Sequence, residues 1–150
     1  MSLDRGAASH VCIQKLLNAA QTALERYQDV KVDDDGSLTF QHSEVPCAVQ
    51  AVELAEGLLV LNLTCVVAWD VPDGGELAER VATRAGQGLF GTLGLVRAER
   101  GVDVTLRYAF PAAGLATVPL GTLLMLVVST ASQVRTELLS PMVRSGEREI

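Results

Sequence analysis

Between Leu58 and Trp69 no side chain carries a charge, and the residues are apolar at both alternating sets of positions. Leu59, Leu61, Leu63, Cys65, Val67 and Trp69 form one set. Leu58, Val60, Asn62, Thr64, Val66 and Ala68 form the other. A run of this kind reads as a β-strand. Apolar on both faces, it belongs in the middle of a sheet, with its second face covered as well as its first. Any fold for this chain must therefore supply flanking strands and at least one layer of helices.

The flanking elements are legible from their periods. A helix is expected over residues 9–28, where Ile13, Leu16, Leu17, Ala20, Leu24 and Tyr27 recur at three-and-four spacing. Asp33-Asp34-Asp35-Gly36 reads as a turn, after which Leu38, Phe40 and His42 alternate with Thr39, Gln41 and Ser43 as a strand. A second strand is expected over residues 47–54, joined through Glu56-Gly57 to the long strand over 58–71. Pro72-Asp73-Gly74-Gly75 ends that strand, and Asp73 with Glu76 has the spacing of a capping box for a central helix carrying Leu77, Val81 and Ala85. Leu93 and Leu95, then Val102 to Phe110, mark a hairpin turning at Arg100-Gly101. The last helix is expected over 118–139, stopped by Pro141, with residues 145–150 as a frayed tail.

The order is α-β-β-β-α-β-β-α. Hairpin-length connections make the pairing antiparallel, and strands in two blocks with helices around them define an α+β fold. The expectation is an antiparallel sheet of about five strands packed by helices, in a single domain spanning 1–150 with an ordered core over 9–139.

Composition narrows the function. The chain has 150 residues and a formal charge of −6, so it lacks the basic balance of a nucleic-acid binder or of a protein attracted to an anionic membrane surface. From Tyr108 to Val134 no side chain is charged, a length that could span a bilayer. Pro111, Gly114, Pro119 and Gly121 interrupt it, so it reads as a strand end, a turn and a buried helix. The polar start has no signal-peptide core, and a cytoplasmic protein is expected. Cys12, Cys47 and Cys65 lack metal-site spacing and are expected as free thiols. Cys47 and Cys65 fall on strands paired as a hairpin. A three-residue turn would set them directly opposite, and a two-residue turn would put them on opposite faces.

The chemical motifs fail on context. Gly86-Gln87-Gly88-Leu89-Phe90-Gly91 matches G-x-G-x-x-G, but it follows a helix and precedes a strand, the reverse of a dinucleotide site. Asp33-Asp34-Asp35-Gly36 lacks the ligands of a calcium loop, since Lys31 and His42 stand where acids are needed. His10 and His42 have no ligand-spaced partner. No cofactor, metal or catalytic residue is expected, and the protein is not read as an enzyme.

Three phrases carry a family resemblance. They are the acidic turn into Gly36-Ser37-Leu38-Thr39-Phe40, the apolar strand Leu58 to Trp69 with its Pro-containing end, and Leu106-Arg107-Tyr108-Ala109-Phe110-Pro111-Ala112-Ala113-Gly114-Leu115 leading into the last helix. Together with the element order, the chain resembles the YbjN-type domains, whose fold is that of the type III secretion chaperones. The resemblance implies a dimeric, cytoplasmic protein-binding or regulatory module and brings no catalytic residues with it.

The function expected is thus a non-enzymatic, chaperone-like or regulatory interaction module that binds a protein partner through an apolar sheet or helix surface. The alternative is a small-molecule binding or sensing domain with an apolar pocket between the last helix and the sheet. Because the second face of the long strand needs a cover, a homodimer is expected. The candidate partner or dimer surface comprises Val60, Val66 and Ala68 on that face, with Leu77 and Val81 on the helix nearby.

Overall fold

The computed structural model describes residues 2–88 and 90–139, with side chains from His10 onward. Pro141, the expected helix stop, the tail over 145–150, and Leu89 of the glycine-rich loop lie outside the described residues. The elements are α1 (Ser2–Glu25), β1 (Lys31–Val32), β2 (Leu38–His42), β3 (Val45–Ala55), β4 (Leu58–Val71), α2 (Gly75–Gly86), β5 (Thr92–Ala98), β6 (Gly101–Phe110) and α3 (Thr117–Leu139). They make an α+β fold in which six strands form one antiparallel sheet in the order β1-β2-β3-β4-β6-β5. The sixth strand is β1, two residues paired with Thr39 and Leu38, too short to leave a periodic trace in the sequence.

β4 is central, between β3 and β6, as its double apolar pattern requires. Leu61, Leu63, Cys65 and Val67 are fully buried and share one core with Leu24 and Ala20 of α1 and Leu124, Val127, Val128, Ala131 and Val134 of α3. Burying side chains of this size stabilises the fold by about 1.5–3 kcal/mol each. α3 is long and apolar enough, by composition alone, to cross a membrane; here its Leu120–Val134 stripe is the lid of the core.

One expectation is corrected, and two further local features bear on the sheet. First, α2 has no capping box. Gly74 is its N-cap and makes no side-chain cap bond, because Asp73 instead accepts a hydrogen bond from Arg97 Nη1 on β5. Second, α2 does not cover the second face of β4. It lies beside α3, where Arg84 Nε donates to Glu137 Oε2 at 2.6 Å, so all three helices share one side of the sheet. Third, β4 is irregular at its end. Its register against β6 shifts between Val66 and Ala68 and again between Ala68 and Val71. Asp70 there takes a positive φ of 54°. Gly101 opens β6 at φ +153°, where an added Cβ would lie 2.5 Å from the Val71 carbonyl oxygen, so only glycine lets the two strands meet.

Candidate partner-binding surface

Side chains that point away from the helices define the open face. The register places Val52 opposite Val60, Asn62 opposite Ala109, and Thr92 opposite Arg107. These residues, with Leu54, line a depression of about 340 Å³. Val60 forms its floor, 5% exposed, whereas Val52 and Leu54 at the rim are 40% and 65% exposed. Arg107 is the one ionisable side chain lining it. Farther along, Val66 faces Thr105. The face is therefore a mixture of small polar and apolar side chains: β4 itself supplies Asn62 and Thr64, and the neighbouring strands add Ala48, Thr92, Thr105 and Ala109.

One boundary of this face is an open strand edge. The turn at Ser43-Glu44 pairs His42 with Val45, so the five residues of β2 reach only as far as Val49. β3 has eleven residues. Among the described residues no strand pairs with its outer side from Gln50 to Ala55. A groove of about 220 Å³ runs beside that edge, bounded by Ile13 and Leu17 of α1 and by Asp35 and Ser37 of the preceding turn. Gln50 Nε2 donates to Ser37 Oγ at 3.3 Å across its end. Asp35 Oδ1 accepts the Ser37 amide at 3.0 Å, and that bond holds the Asp35 carboxyl below its ordinary range. The groove thus joins unpaired backbone, the apolar Ile13 and Leu17 and a polar, hydrogen-bonded turn.

The five residues expected from the sequence do not form one surface. Val60 and Val66 lie on the open face. Ala68 is 2% exposed and opposes the buried Val104. Val81 belongs to the core on the helix side of the sheet, and Leu77, on the same helix, packs against that core. Val52, Leu54, Arg107 and the Gln50–Ala55 edge were missed. Their signal was present: a strand of five residues turning tightly into one of eleven must leave the longer strand uncovered.

The interior between α3 and the sheet is filled by the core side chains. A depression of about 460 Å³ lies instead between α2 and α3, with Arg84, Phe90, Thr130 and Gln133 on its walls. Its cation is already engaged by Glu137. Among the described residues, no three His, Cys, Asp or Glu side chains gather to hold a metal.

No family model matches the chain, and no curated protein matches its sequence. A chain in the crystal structure of the ExsC–ExsE complex is similar in fold, with a TM-score of 0.59 and 18% sequence identity over 84% of this chain and 95% of that one. At that identity the likeness is one of architecture, the α+β arrangement of helices on one antiparallel sheet.

Proposed function

We propose that the protein is a chaperone-like interaction module of the YbjN type, non-enzymatic and cytoplasmic, which receives an extended segment of a protein partner along the outer edge of β3. The observation that carries this reading is the unpaired stretch Gln50–Ala55 beside a groove walled by Ile13 and Leu17 and closed by Asp35 and Ser37. A bound segment would satisfy the edge's backbone groups as an added strand, and its alternate side chains would reach Val52 and Leu54 on one side and Ile13 and Leu17 on the other. The fold likeness to a chain found in a protein–protein complex supports a partner of this class.

A homodimer belongs to the same proposal, and we assign it to the opposite edge of the sheet. Among the described residues β5 pairs only with β6. Leu95 and Val96 on it are 40% and 44% exposed, and α2 beside it exposes Ala78, Ala82 and Ala85. A two-fold interface there would leave the β3 edge of each copy free.

The experiment is co-purification from the native host with mass spectrometry, repeated with a Val52→Asp/Leu54→Asp variant. Loss of the captured protein, with circular dichroism and light scattering unchanged, is the expected result. Capture of the same protein at the same yield would refute the β3 edge as its site.

A further inference from the structure

β3 and β4 also carry a pair of thiols that the partner-binding surface does not use. Cys47 and Cys65 face each other directly across the two strands, with their sulfurs 3.6 Å apart. Both lie in the core, 4% and 0% exposed. Directly opposed residues on antiparallel strands have Cα atoms about 4.5 or 5.5 Å apart, depending on their hydrogen-bonding site. A disulfide accepts Cα separations of roughly 4.4–6.8 Å, so either kind of site fits. Ala48 paired with Thr64 and Val49 with Leu63 hold the register beside the two cysteines. Closing the bond requires side-chain rotation and small local adjustments, with no shift of register.

We propose that Cys47 and Cys65 are a latent oxidation site, which a small disulfide oxidant of the glutathione type converts into a bond clipping β3 to β4 beneath the open face. The thiolate of one cysteine attacks the oxidant's S–S bond, forming a mixed disulfide and expelling one thiolate. The other cysteine gives up its proton and attacks the first protein sulfur, forming the Cys47–Cys65 bond and expelling the second thiolate. The protein loses two hydrogens, and the oxidant is reduced to two thiols.

The site is latent because it is shielded. Cys47 Sγ donates to Cys65 Sγ. That hydrogen bond, with burial, pushes the Cys47 thiol well above its ordinary range, and the neutral thiol is a poor nucleophile. An oxidant therefore reaches the pair only when the helical layer lifts from the sheet, so oxidation records opening of the domain. Cys12, exposed on α1, has no such shield.

The test uses the full chain carrying Cys12→Ser, equilibrated in glutathione buffers of graded ratio at a urea concentration that populates opening. The expected result is that thiols titrated after denaturation fall from two to none and the intact mass drops by two hydrogens. Peptide mapping should join Cys47 to Cys65, and the unfolding equilibrium constant should fall roughly a hundredfold for a loop of this length. Two thiols surviving at the most oxidising ratio would overturn the proposal, as would stable glutathione adducts in place of the intramolecular bond. The Cys12→Ser/Cys47→Ala protein should show no stabilisation in the same series; an equal stabilisation there would also overturn it.

Discussion

Gly121 of α3 lies against Ala23 of α1 so closely that a Cβ at Gly121 would sit 3.2 Å from the Ala23 carbonyl oxygen and 3.1 Å from the Tyr27 ring. The missing side chain sets the distance between the two helices that cap the core. Gly121→Leu should therefore destabilise the fold by about 1–3 kcal/mol through overpacking. Gly121→Ala should be milder, because a gain of about 1 kcal/mol in helix propensity offsets the crowding. Equilibrium urea denaturation reads both. An unchanged midpoint for Gly121→Leu would show that α1 yields without loss.

Arg135 ties the far end of α3 to the end of β4. Its Nη1 donates to the Val67 carbonyl oxygen at 2.9 Å, its guanidinium stacks 4.8 Å over the Trp69 ring, and Glu44 lies 3.8 Å from Nη2. Arg135→Lys keeps the charge but loses the planar fork, and should cost about 1–2 kcal/mol. Trp69 is the only tryptophan in the chain, so its fluorescence should report the loosened stack directly. An emission spectrum identical to the parent's would mean that the stack does not persist in solution.

Charges on the open face should separate its floor from its exposed part. Val60 is nearly buried, and Val60→Asp should destabilise by more than about 2 kcal/mol, because the new carboxylate is desolvated. Val66, half-buried opposite Thr105, should accept Asp and remain folded by circular dichroism. Light scattering then tests the dimer assignment. A folded Val66→Asp monomer beside a dimeric parent would move the interface from the β5 edge to this face.

Asp35 gives the pH dependence. Its folded-state carboxyl titrates below the ordinary aspartate range because it accepts the Ser37 amide. A depressed acid contributes stability that is fully present above the unfolded value, near pH ~3.9, and is lost as pH falls through the lower folded value. Side-chain carboxyl titration by NMR should place Asp35 below the ordinary aspartate value. If Asp35 titrates at the ordinary aspartate value, the turn that fixes one wall of the β3 groove is not formed in solution.

Much of the architecture was legible because burial imposes period. Leu38 and Phe40 alternate inward on β2, Ile13 to Leu24 stripe α1, and the doubled pattern of Leu58 to Trp69 placed β4 at the centre. What escaped were features that depend on two segments at once. Ala55 pairs with Leu58 across a two-residue turn, which alone would have put Cys47 and Cys65 on opposite faces. The register shift between Glu53 and Ala55 leaves Leu54 unpaired and restores the facing pair. Asp73 had the spacing of a helix cap, yet Arg97, distant in sequence, takes its carboxylate. Likewise, Val60 and Val66 could be assigned to one face of β4 beside Asn62 and Thr64, but Ala48, Thr92, Thr105 and Ala109, which dilute that face further, come from other strands.

The half-covered β3 is also a hazard, since bare strand edges recruit like edges and lead to fibrils. Two features at its free end limit that outcome. The bulge at Leu54 breaks the flat repeat that stacking chains require, and Glu53 puts a carboxylate on the side of the strand facing the helices, where its Oε1 accepts the Gly57 amide. An incoming strand thus finds only a short regular stretch before the geometry turns against it. For the segment capture proposed above, such an edge would suit a single added strand and resist templating a row of them, which is the difference between reversible binding and aggregation.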